Sequence, residues 1–109
     1  MGRVLRIGDL KHRIILQYKT RVSDGMGSFA ETWNDGDTIY AAIWPTSAKE
    51  LVAADSVSMV VSHRIRIRYR KDIRASWRIK YKNAFYNIVS IVNPNMENKI
   101  LDIMAKEAE

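Results

Sequence analysis

Arg64, Arg66, Arg68 and Arg70 stand at alternate positions of the run Met59-Val60-Val61-Ser62-His63-Arg64-Ile65-Arg66-Ile67-Arg68-Tyr69-Arg70, interleaved with Ile65, Ile67 and Tyr69. A guanidinium group is a permanent cation with a planar fork of donors, so the chemistry on offer is recognition of carboxylates or phosphates. A period of two separates into an apolar and a cationic face only on a β-strand. After a break at Lys71 to Ser76 the alternation resumes, with Trp77, Ile79 and Tyr81 on one side and Arg78, Lys80 and Lys82 on the other. The two segments are read as neighbouring strands of one sheet. Arg64 to Lys82 holds nine of the chain's 18 basic residues against one acid, Asp72. The expected partner-binding face is therefore Arg64, Arg66, Arg68, Arg70, Arg78, Lys80 and Lys82. Like charges side by side on a sheet repel unless acids lie across from them, so this face requires an acidic partner or cross-strand acids more than solvent alone. Its aromatics, Tyr69, Trp77 and Tyr81, fall on the apolar side. That weighs against base stacking and leaves phosphate-backbone or protein contact.

Other chemistry is thin. His12 and His63 have no partner at metal-ligand spacing; His63 lies on the apolar side of its strand as a core or edge histidine, and His12 precedes a strand and should be exposed. Asp24, Glu31, Asp35 and Asp37 gather around turns, where solvated carboxylates are expected rather than an acid–base pair. There is no cysteine, no Gly-rich phosphate loop and no paired-histidine motif. No catalytic residue, metal site or cofactor is expected, and the chain is read as a non-enzyme.

The elements that must carry the basic face fit one domain of 109 residues, with 47% hydrophobic and 28% charged residues, an ordinary globular composition. Without cysteine there is no disulfide framework, which agrees with a reducing compartment. No apolar run has the length of a signal peptide or of a membrane span of roughly 20 residues, so a soluble, cytoplasmic product is expected. A net charge of +6 favours an acidic partner, nucleic acid or protein, without choosing between them.

In chain order, Met1 to Asp9 is a basic lead-in arm, expected to be mobile or to lie on a partner. His12 to Arg21 alternates as a first strand, and Val22 to Gly27 reverses the chain as a hairpin. Ser28 to Trp33 is a second strand, Asn34-Asp35-Gly36-Asp37 a second turn. Thr38 to Trp44 is apolar on both faces, as in a strand buried on both sides or at a subunit contact, with Tyr40 and Trp44 the candidate contact residues. Pro45 ends it. Ser47-Ala48-Lys49-Glu50 is a capping box, and Leu51-Val52-Ala53-Ala54 gives two helical turns up to Asp55. This excursion either packs Leu51 and Val52 over an open barrel end or protrudes as an assembly loop; its candidate residues are Ser47, Lys49, Glu50, Leu51, Val52 and Asp55. Val57 opens the long basic strand, Asn83-Ala84 turns, Phe85 to Val92 is apolar, Asn93-Pro94-Asn95 turns again, and Ile100 to Ala105 closes the set. The expected fold is all-β: a small antiparallel barrel or sandwich of six or seven strands with one short helix or loop excursion.

These residues carry a family resemblance. The run Ile7-Gly8-Asp9-Leu10-Lys11-His12-Arg13-Ile14 with Leu16-Gln17, then Asp24-Gly25-Met26-Gly27, Trp33, Ala42-Ile43-Trp44-Pro45, Lys49-Glu50, His63 to Arg70 with Asp72-Ile73, Arg78-Ile79, Tyr86-Asn87-Ile88 and Lys106-Glu107 resembles the head-tail joining (head-closure, stopper) proteins of tailed bacteriophages. The resemblance covers almost the whole chain in order. It implies a small β-barrel that assembles as a ring beneath the portal and its adaptor ring, retains packaged DNA and presents a docking surface to the tail. The partners it implies are portal, adaptor and tail proteins, with further copies of itself in the virion and a monomer in isolation. Non-specific contact with packaged DNA is compatible with it. The location would be the virion neck, after synthesis in the bacterial cytoplasm. In that family an excursion between two strands faces the central channel, and the matching positions here are Ser47 to Asp55, shorter and more helical in pattern. The competing readings are a nucleic-acid-binding barrel using its basic sheet, and another tail-tube or terminator component.

Overall fold

The computed structural model describes residues 10–46, 51–54 and 57–108, with side chains described outside 51–60. Period-two patterning produces eight strands: β1 (His12–Ser23), β2 (Phe29–Pro45), β3 (Leu51–Ala54), β4 (Val57–Val60), β5 (His63–Arg68), β6 (Arg78–Tyr81), β7 (Ala84–Val92) and β8 (Ile100–Glu107). A 3-10 turn at Pro94–Met96 joins the last two. Six strands close into an antiparallel barrel in the order β1-β2-β5-β8-β7-β6, while β3 and β4 form a separate two-stranded sheet. Where the six strands close on one another no free edge is left, which removes the template for aggregation that an open sheet would carry.

The core follows directly from the alternation. Ile14 and Leu16 of β1, Ala41 of β2, Ile65 and Ile67 of β5, Ile79 of β6, Tyr86 and Ile88 of β7, and Leu101, Ile103 and Ala105 of β8 meet inside the barrel. Each large aliphatic side chain taken fully out of water stabilises the fold by roughly 1.5–3 kcal/mol. Tyr69, Trp77 and Tyr81 pack against this cluster, on the apolar side where the alternation placed them.

Four expectations are corrected. The two basic strands are not neighbours: β5 pairs with β2 and β8, whereas β6 pairs with β1 and β7, so they lie on opposite sides of the barrel. A nine-residue connection, Tyr69 to Trp77, carries the chain across the barrel end, longer than a tight hairpin needs. Second, Asn34-Asp35-Gly36-Asp37 does not turn. β2 runs straight through it, and the register slips so that Gly36 and Asp37 together face Leu16, a β-bulge. A Cβ on Gly36 would sit 2.9 Å from the Leu16 carbonyl oxygen, so only glycine fits the close approach.

Third, Leu51–Ala54 is a strand rather than a helix, paired Leu51 to Val60 and Ala54 to Val57. A single cap cannot carry so short a helix in isolation, whereas pairing with β4 gives both segments ladder hydrogen bonds along one edge. Fourth, His12 is half-buried, with Nδ1 at 2.8 Å from the Tyr81 hydroxyl. The lead-in arm, residues 1–9, lies outside the described residues.

Beyond Gln17, β1 loses its pairing with β6, and before Ala41, β2 has none with β5. Residues 18–35 are thus a two-stranded arm paired only with itself, and the molecule measures 57 × 33 × 28 Å. At its tip Gly25 and Gly27 adopt φ of 80° and 86°, and Asp24 Oδ1 accepts hydrogen bonds from the amides of Met26 and Ser28. The other end of β2 leads through Pro45 to the β3–β4 hairpin, anchored where the Thr46 amide donates to the Ser62 carbonyl at 2.9 Å.

Candidate interaction surfaces

On the β5 side the arginines point outward between β2 and β8. Register sets Arg66 opposite Asp102, and its Nη2 donates to Oδ2 at 2.8 Å while Nε donates to Oδ1. The pair is mostly buried, with 18% and 12% of the side chains exposed. The hydrogen bond from Asp102 raises the Arg66 pKa above its ordinary value. Arg70 forks onto both oxygens of Asp72 at 2.7 and 2.8 Å and reaches Asp37 at 2.8 Å; the Asp72 hydrogen bond leads in raising its pKa. Arg64 and Arg66 lie over the ring of Trp44 at 5.1 and 5.6 Å. Arg64 Nε is buried and has no hydrogen-bond partner among the described residues. Arg68 has no acid partner among them either and lines a cavity of about 390 Å³ with Leu10, Ile39, Tyr40, Tyr69 and Arg70. Tyr40 and Trp44, the candidate contact residues, are exposed beside these arginines.

The β6 side is built differently. The Arg78 guanidinium lies between two rings, 4.2 Å from the centroid of Trp33 and 4.1 Å from that of Phe85. Its Nε donates to Gln17 Oε1 at 2.7 Å, and Gln17 in turn donates through Nε2 to Asp35 Oδ1 at 2.7 Å. No carboxylate touches Arg78 among the described residues, and burial alone lowers its pKa. Lys80 reaches over Phe85 at 5.9 Å and Lys82 over Tyr81 at 5.3 Å. Along the arm, Lys19 covers Trp33 at 5.0 Å and bonds Glu31 at 3.3 Å, and Arg21 covers Phe29 at 4.7 Å.

Gln17, Trp33 and Phe85 were not singled out as site residues by the sequence pattern. They come from three strands, and only the closure of β6 onto β1 brings them to one cation; the outward position of Phe85 opposite Lys80 was the one available signal. Ser47, Lys49, Glu50 and Asp55 lie outside the described residues, and Leu51 and Val52 are placed in β3 by backbone alone. His63 is far from His12 in the barrel: its Nδ1 lies 3.0 Å from Ser62 Oγ and its ring stands edge-on to Tyr86. Among the described residues no cluster of three potential metal ligands occurs.

The described residues thus form a closed antiparallel barrel with outward cationic faces and a projecting hairpin arm. The chain belongs to the phage head completion protein family, whose model matches residues 5–108, and is accordingly a structural component of the phage particle. It is similar to protein SF1141 from Shigella flexneri 2a, known from a solution structure, with 34% identity, coverage of 95% of this chain and 97% of that one, and a TM-score of 0.76. It shares its fold with a chain from the virion of a native gene transfer agent particle, at 20% identity, 91% and 96% coverage and a TM-score of 0.67. Among curated proteins no match is found.

Proposed function

We propose that the protein forms a ring in the phage neck, between the portal with its adaptor ring and the tail, where it closes the DNA-filled head and docks the tail. The observation that carries this reading is the pair of hairpins leaving opposite ends of β2. The arm of residues 18–35 exposes Val22, Met26 and Phe29 and contains no fully buried residue, with Trp33 and Asn34 at its base half-buried. An isolated two-stranded ribbon is marginally stable in water, so such a ribbon fits a role against neighbours. Family membership supports the placement, as does the occurrence of this fold in a gene transfer agent virion. A ring with head-to-tail contacts needs two different patches on each subunit, and the face around Tyr40 and Trp44 and the tip of the arm around Met26 are two such patches. Tyr40 and Trp44 are assigned to the subunit contact, and the β3–β4 hairpin to the channel side. Arg64, Arg68, Arg78, Lys80 and Lys82 are the cations left for partners.

The test is a phage or prophage carrying a nonsense mutation in this gene. Heads should fill and then lose DNA, and free tails should accumulate; purified protein added to the lysate should restore plaque formation. Heads that keep both DNA and tails without the protein would refute the reading.

A further inference from the structure

We infer that the Arg78 clamp is a receptor for a carboxylate on a different protein of the virion, so that the β6 side of the barrel, with the base of the arm, docks an acidic protein surface. The inference rests on the neck placement above and adds to it the partner's chemistry and the anchoring residue.

The clamp is pre-organised. Trp33 and Phe85 hold the guanidinium plane from two sides, and Gln17 fixes Nε. The terminal nitrogens make no hydrogen bond among the described residues, so two donors on a guanidinium already held by Gln17 and two rings stay available with little freedom left to lose on binding. Burying an arginine without a counter-charge is unfavourable, and the acid that would relieve it is supplied on β5 by Asp102 but has no counterpart here. Lys80 and Lys19 flank the clamp and add to its attraction for an anion.

Three further observations choose the partner. Bases need open aromatic faces to stack on, but Trp33 and Phe85, the rings at the clamp, are already covered by this chain's own cations. Glu31 and Asp35 sit within the same strip and would oppose the continuous charge of a phosphate backbone, while exposed Phe29 and Val22 beside it suit an apolar protein surface with an isolated acid. Among the described residues a second copy of this chain could offer only Asp24, Asp35 and Glu107, because Glu31, Asp37, Asp72, Glu97 and Asp102 are already bonded to its own cations and Asp35 already sits beside the clamp through Gln17.

Carbodiimide joins an amine to a carboxylate at zero length, and applied to assembled particles it reads this contact directly. Mass spectrometry should find an amide from Lys80 or Lys19 to an aspartate or glutamate of a different virion protein. In particles bearing Arg78→Lys, the amine introduced at that position should itself enter the same cross-link. Arg78→Gln should lower incorporation into particles at least tenfold with its barrel intact by NMR, while Lys71→Gln, at an exposed cation outside this face, should leave it within twofold. Absence of the protein from wild-type particles would overturn the neck placement, not the clamp. The clamp assignment falls if the protein is present but Arg78→Gln incorporates normally, if the amide joins two copies of this chain, or if emptying the heads of DNA releases the protein.

Discussion

Arg66 and Arg78 occupy comparable positions, each an outward residue of a short barrel strand beside an inward isoleucine, yet they are stabilised by different physics. Arg66 meets a carboxylate across the strand pair and is neutralised inside the subunit. Arg78 meets two aromatic rings and an amide and keeps its charge. A cationic face read from sequence thus divides into a β5 side whose arginines partly serve the fold and a β6 side whose arginine remains open to a partner. Charge count does not measure binding capacity; the cross-strand partner does.

The sharpest test removes the acid from the first region. Asp102→Asn leaves the Arg66 guanidinium mostly buried and unpaired, and breaking a buried ion pair from one side costs about 3–5 kcal/mol, so about 2–3 kcal/mol is expected at this partly buried site. For a domain of this size that is a fall in Tm of about 10 °C. Asp72→Asn, at a carboxylate 59% exposed, should cost less than about 1 kcal/mol. Replacing both partners, Arg66→Met with Asp102→Leu, should recover most of the loss, since two apolar groups leave no orphaned charge. Equal melting temperatures for Asp102→Asn and Asp72→Asn would show that Arg66 is not held by its partner as described.

How far this division could be read in advance follows from where each signal resides. The outward stance of Arg64, Arg66 and Arg68 is local and was legible in the alternation with Ile65 and Ile67. The neutralising acid is 36 residues away; its only trace is that Asp102 interrupts Leu101 and Ile103 on the outward phase of an otherwise apolar run. A small antiparallel barrel was expected and is found, but which strands close it was not legible, because pairing of β6 with β1 involves only Ile15 to Gln17 and leaves no periodic mark. Asn34-Asp35-Gly36-Asp37 and Ser47-x-x-Glu50 carry real turn and cap chemistry, but tertiary pairing decided otherwise: a bulge uses the same glycine as a turn, and a hairpin overrode the helical reading at Leu51–Ala54. The clamp was the least visible part, since Phe85 alone lies near Arg78 in the chain, across the β6–β7 hairpin, while Gln17 and Trp33 share no sequence neighbourhood with it.

The second region predicts a smaller and differently shaped response. Arg78→Ala removes a guanidinium from two rings and exposes them, with an expected loss of about 1–2 kcal/mol; Arg78→Met, which keeps the packed stem, should lose less than half of that. Because stacking is short-ranged, the gap between wild type and Arg78→Ala should persist in 1 M salt, where the Debye length is about 3 Å. Thermal melts at low and high salt provide the measurement. A gap that closes in salt would mean that Arg78 is held by charge, and the contrast with Arg66 would dissolve.

The smallest effect is in pH, and it separates the two regions by sign rather than size. The Arg70 hydrogen bond holds the Asp72 carboxyl below its ordinary value of 3.8. A carboxyl whose folded pKa is depressed stabilises fully above the unfolded value, and that contribution disappears as pH falls through the folded one. The Tm difference between wild type and Asp72→Asn should therefore be constant from pH 7 to about 5, shrink below about pH 4, and vanish once the carboxyl is protonated in both states. The difference between wild type and Arg78→Met should stay level across the same range, because no carboxylate contacts that guanidinium among the described residues and arginine keeps its proton throughout. A slope below about pH 4 in the Arg78→Met difference would reveal an acid paired with Arg78 within the subunit, and the β6 face would then resemble the β5 face.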